Sequence, residues 1–143
     1  MDTSALFSGI WSESGGARMI LKLGEAEAIK IMVGQQVLAE IDEVLRAKYP
    51  QGMAGLARLL DRSRIEIGPQ ADANTITHCK TLMPHPGDAL VLAEAWCTKV
   101  DYLATHDKAH FTENQKVLSE VPFLVGSPGD FLAWYRKRLT ADE

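Results

Sequence analysis

The sequence predicts an α/β domain of three layers (α/β/α) with a mostly parallel central sheet, and three observations lead to it. Short apolar runs of strand composition alternate with longer segments of helical periodicity, the pattern of a parallel sheet joined by crossover helices. A chain of 143 residues falls at the commonest size of a single domain, so residues 1–143 are read as one folding unit. Its 46% hydrophobic and 24% charged residues are those of ordinary globular chains, which excludes disorder, collagen and coiled coil.

The elements follow in chain order. Ala17 to Leu23, behind Gly15-Gly16, reads as a short helix stopped by Gly24, and Ala28 to Val33 as a buried strand. From Gly34 to Tyr49 the apolar positions Val37, Leu38, Ile41, Val44 and Leu45 form one helical stripe. It halts before Pro50, because a residue preceding proline avoids the helical region. Met53 to Leu60 repeats the helical pattern more briefly, and Ile65 to Ile67 is a strand or an extended exit. Gly68 to Gly87, polar and broken by prolines, reads as a loop holding His78 and His85. Pro86-Gly87-Asp88 opens an apolar helix running to about Lys99. Asp101 to Thr105 and Pro122 to Gly126 have strand composition, and Asp130 to Leu139 is the closing helix. In a sheet of this kind ligands gather at the carboxyl ends of the strands.

A net charge of −4, from 15 basic and 19 acidic residues, argues against gripping nucleic acid by bulk charge, so a polyanion has to be met locally. Asp2 stands where a secretory signal needs basic residues, and no apolar run approaches the ~20 residues of a membrane span. The chain is therefore read as cytoplasmic, without a membrane partner. Cys79 and Cys97 form no CxxC pair, so they read as small buried hydrophobes rather than a disulfide or zinc framework. His106 and His110 would need Cys79, Cys97 or His85 to complete a zinc site, and structural zinc sites use tighter pairs.

The acids carry the chemistry. Asp107 lies two residues beyond the 101–105 strand, where an α/β sheet displays functional side chains, although a turn or cap would use the same residue. Asp88, just behind Pro-Gly, suits a helix start whatever else it does. Glu40 sits roughly 100° from the centre of the apolar stripe, at its edge, and Asp42 occupies the opposite edge equally well. Periodicity does not choose between them, whereas Glu43 points nearly away from the core. Asp2 would sit at the tip of a first strand, but only Met1 stands before it.

Four stretches in order resemble a PIN domain: Asp2-Thr3-Ser4-Ala5-Leu6, Val37-Leu38-Ala39-Glu40-Ile41, His85-Pro86-Gly87-Asp88 with its Ala/Leu-rich continuation, and Asp101 to Lys108 (DYLATHDK). The resemblance extends from Asp2 to about Trp134. It is strongest to the VapC-like branch, toxin components of bacterial toxin–antitoxin systems, whose closing Pro-x-x-Phe-Leu helix is matched by Pro128-Gly129-Asp130-Phe131-Leu132. Members carry an apolar first strand before the first Asp, which is read as truncated here, and a Gly where this chain has His106.

The resemblance implies a Mg- or Mn-dependent endoribonuclease whose catalytic and metal-binding residues are Asp2, Glu40, Asp88 and Asp107, with Ser4 and Thr105 as polar neighbours. By the same comparison Asp42 and Asp101 fall outside the cluster. It also implies a homodimer and an antitoxin protein partner. The residue types agree, since hard divalent cations take oxygen ligands, and a cation keeps ionised the clustered carboxylates that would otherwise repel one another. A bound ion can lower the pKa of a water and orient it in line with a phosphodiester.

Lys108, Arg136 and Arg138 are the phosphate-contact candidates, with Arg58, Arg62 and Arg64 as a second group, against the alternative of plain exposed helix charges. Trp134 and Tyr135 either stack on bases or anchor the closing helix. A second function class is a catalytically impaired PIN-like module that binds RNA or protein. A phosphoacceptor domain fits less well, because an adjacent acid pair at the first strand end is absent.

Overall fold

The computed structural model describes residues 1–142 and shows an α/β chain that is mostly helical. Helix α1 (Thr3–Trp11) and α2 (Gly16–Glu25) precede strand β1 (Met32–Val33). Helix α3 (Gln35–Lys48), a short 3₁₀ turn, α4 (Met53–Arg62) and strand β2 (Glu66–Ile67) follow. The second half holds α5 (Ala73–Leu82), α6 (Pro86–Thr98), β3 (Tyr102–Ala104), a π-helical turn at Lys108–Thr112, α7 (Gln115–Glu120), β4 (Leu124–Gly126) and α8 (Pro128–Ala141). Among the described residues no helix is long and apolar enough to cross a membrane.

The strands form two parallel pairs, β1 with β2 (Met32 opposite Glu66) and β3 with β4 (Leu103 opposite Val125). Between the pairs lie the first two residues. The Met1 amino group donates to the Met32 carbonyl at 3.1 Å, and the Asp2 N–H donates to the Ala104 carbonyl at 3.1 Å. The carbonyls of Ile31, just before β1, and of Val33 already take N–H groups of the β2 side, so Met32 faces the other way by strand alternation. The chain start therefore occupies one strand's width between β1 and β3, and Asp2 passes directly into the N-cap of α1.

Several expectations change. The strand expected over Ala28 to Val33 is confined to Met32–Val33, that over 101–105 loses one residue at each end, and that over 122–126 loses its first two residues. The α2 helix does not stop at Gly24: it runs to Glu25 and is ended by Glu27 in the left-handed region (φ 59°). Gly24 serves close packing instead, since a Cβ there would meet the Ser63 carbonyl oxygen at 2.6 Å. The loop expected over Gly68 to Gly87 contains α5, which Asp72 opens by accepting the Thr75 N–H at 2.8 Å. Its β-branched Thr75, Ile76 and Thr77 lower helix propensity and hid it. Packing overrides that weakness, for α5 buries Cys79 and Leu82 and lies along α6. His78 is accordingly helical, and Cys79 is a buried free thiol whose pKa burial pushes up to about 11.

The core runs from Leu6 and Leu21 through Val33, Val37, Ile41 and Leu45 to Leu92, Leu103, Phe111 and Val117. It packs α3 against both α1 and α6, and the acidic side chains project from the starts and flanks of these helices and from the loop after β3.

Candidate metal centre

Each acid reaches the site for a local reason. Asp2 caps α1, its Oδ1 accepting the Ala5 N–H at 2.9 Å, and it is only 5% exposed. Glu40 stands on the flank of α3 beside the buried Val37 and Ile41. Asp88 lies in the first turn of α6, where His85 supplies the cap, and the positive end of the helix favours a carboxylate. Asp107 caps the π-helical turn, accepting the His110 N–H at 3.0 Å.

All four line one open pocket of about 360 Å³ with Thr3, Ser4, Phe7, Val44, Val91 and Phe111. The choice that periodicity left open is thereby made: Glu40 faces the pocket, while Asp42 pairs with Arg46 at 2.7 Å and Glu43 is exposed. Asp101 is exposed and lines a different cavity.

A hydroxyl network holds the pocket. Thr105 is fully buried and donates to Oδ2 of Asp2, while its oxygen accepts the Asp107 N–H at 3.0 Å. Ser4 donates to Oδ1 of Asp2 at 2.8 Å and accepts the His106 N–H at 2.9 Å. Thr3 donates to Glu40, whose other oxygen accepts from the Gln36 amide at 3.0 Å. Asp2 and Glu40 are thus fixed by neutral donors. Asp88 and Asp107 are instead drawn together by His110, whose Nδ1 is 3.2 Å from Asp88 Oδ2 and 2.9 Å from Asp107 Oδ2.

The electrostatics follow from this crowding. Burial pushes the Asp88 carboxyl up, the nearby charges of Asp107 and Glu40 push it further, and His110 and His85 pull against them. The hydrogen bond to Asp107 and its charge raise the His110 ring above its usual 6.5, with Asp88 adding to the effect. Asp88, Asp107 and His110 each offer a ligand atom within 4.8 Å of the others. Two carboxylate oxygens and one imidazole nitrogen at that spacing are a donor set that fits a divalent ion.

His110, considered from the sequence only for a zinc site with His106, instead joins the acids. Its spacing of three from Asp107, on a turn opened by Asp107 itself, is the local signal, since that turn folds the ring back onto its own cap. The two cysteines lie elsewhere, Cys79 in the core and Cys97 donating to Asp72 at 3.3 Å.

The predicted phosphate contacts separate. Lys108 follows Asp107 directly and is exposed, whereas Arg136 and Arg138 lie on α8, with Arg138 5.0 Å above the Trp134 ring in a second cavity of about 510 Å³. Trp134 and Tyr135 pack with Phe131, and Trp134 also with Tyr102, so they anchor α8. An aromatic run does lead from the acidic pocket: Phe7 in its wall contacts Trp11, which contacts Tyr49, and both outer rings are exposed.

The PIN domain family model matches residues 1–109, a span that includes all four pocket acids. No curated protein and no solved structure matches the chain.

Proposed function

The chain belongs to the PIN domain family, and we propose that it is a metal-dependent endoribonuclease of the toxin type. PIN domains are in general nucleases. The observation that carries the reading is the convergence of Asp88 and Asp107 in one pocket with Asp2 and Glu40. A bound Mg²⁺ or Mn²⁺ would supply an activated water and a counter-charge for the phosphodiester.

The chain's own residues do the rest. Asp88 and Asp107 would hold the ion together with Asp2 and Glu40, which Thr105, Ser4, Thr3 and Gln36 already fix in place. Lys108 beside Asp107 receives a phosphate oxygen. Trp11 and Tyr49 offer ring surface to unpaired bases next to the pocket, which favours single-stranded or loop RNA. Arg136 and Arg138 contact more distant phosphates. The same reading makes the protein a cytoplasmic homodimer of single three-layer domains, neutralised by a small antitoxin protein.

Incubation of purified protein with a labelled structured RNA tests the function. Cleavage with Mn²⁺ that is lost in EDTA and in both Asp88→Asn and Asp107→Asn is the expected result. No cleavage, together with no Mn²⁺-induced thermal shift, contradicts the reading and leaves the RNA- or protein-binding module.

A further inference from the structure

We propose that His110 is itself a metal ligand through Nδ1, and that it biases the centre toward first-row transition ions such as Mn²⁺ over Mg²⁺. The inference rests on the metal-centre reading above and adds a residue and a selectivity to it.

Two ligand atoms about 2.1 Å from one small octahedral ion stand about 3 Å apart when adjacent in its coordination sphere. The Nδ1 of His110 lies 2.9 Å from Asp107 Oδ2 and 3.2 Å from Asp88 Oδ2, which is the spacing of neighbouring ligands. The ring is not free to drift. Its backbone N–H is bonded to Asp107 Oδ1 at 3.0 Å, and the next residue, Phe111, is 1% exposed and pins the turn in the core. The turn itself is π-helical, a local form that recurs at functional sites.

Mg²⁺ prefers oxygen ligands and retains its waters, whereas transition ions accept imidazole readily. Removing the imidazole therefore weakens Mn²⁺ binding and leaves Mg²⁺ nearly unaffected. His85, 3.7 Å from Asp88 Oδ2 and 65% exposed, is the neighbouring imidazole that serves as the control.

The 143-residue chain is titrated with Mn²⁺ and with Mg²⁺ by calorimetry, and the Mn²⁺-loaded protein is examined for nitrogen coupling by pulsed electron paramagnetic resonance. The expected result is a histidine nitrogen coupling that persists in His85→Asn and vanishes in His110→Asn. His110→Asn should also lower Mn²⁺ affinity about tenfold or more with little change for Mg²⁺. Bound Mn²⁺ without nitrogen coupling overturns the role of His110 and leaves the carboxylate centre standing. Equal loss for both metals in His110→Asn overturns the selectivity. No Mn²⁺ binding by the unaltered protein overturns this inference and the metal-centre reading together.

Discussion

The hydroxyl of Thr105 donates to Oδ2 of Asp2 across 103 positions of chain, and both residues are buried. The same oxygen accepts the Asp107 N–H, so one side chain sets the carboxylate at the chain start and the loop that carries another. Thr105→Val removes the donor at nearly constant volume. Groups that orient ligands are worth about 10–100-fold in metal affinity, and a loss in that range is expected for Thr105→Val. Thr105→Ser should recover most of it, read by calorimetry with Mn²⁺.

Asp2 has two roles that substitution separates. As the cap of α1 it is worth about 1 kcal/mol, which Asp2→Ala should lose in chemical denaturation. Asp2→Asn keeps a capping oxygen, so it should retain most of that stability while weakening metal binding. Equal stability loss in both variants would show that charge rather than capping dominates.

The His110 ring sets a pH dependence in the metal-free protein. Its folded-state pKa is raised above 6.5, so its stabilising contribution is complete below 6.5 and is lost as pH rises through the raised value. Asp88, also raised, acts in the same direction but over a lower window beginning at 3.8. In EDTA the Tm of the protein should fall with rising pH above 6.5 relative to His110→Asn. Identical pH profiles for the two proteins would contradict the pairing with Asp107.

The aromatic cluster on α8 predicts a purely structural effect. Phe131 is 8% exposed and contacts Tyr102, Trp134 and Tyr135. Truncating it to Ala should cost about 3–5 kcal/mol in denaturant unfolding. Mn²⁺ affinity at a temperature where the variant remains folded should be unchanged.

Lys108→Ala should weaken RNA binding in Ca²⁺ or EDTA and reduce the salt slope of binding by about one. An unchanged salt slope would show that Lys108 makes no phosphate contact.

The alternation of strand and helix, the α3 stripe and the opening of α6 were legible because each is written in local periodicity and turn chemistry. Helix α5 was not, because its β-branched residues weaken the local signal and only burial of Cys79 and Leu82 against α6 secures it. Sheet pairing was beyond local reading too. The strands are two or three residues long, and the link between the pairs depends on single hydrogen bonds from Met1 and Asp2. The pocket acids came from motif order and resemblance, since periodicity alone left Glu40 and Asp42 equal. His110 was considered only for a zinc site with His106, and its pairing with Asp88 and Asp107 was not foreseen because it arises from a π-helical turn, which no apolar period announces.

Anomalous scattering from a crystal soaked in Mn²⁺ shows where the ion binds. A single strong peak touching the carboxylates of Asp88 and Asp107, within the pocket also lined by Asp2 and Glu40, is the predicted result. A pocket without a peak under saturating Mn²⁺, or a peak remote from these two side chains, would contradict the account.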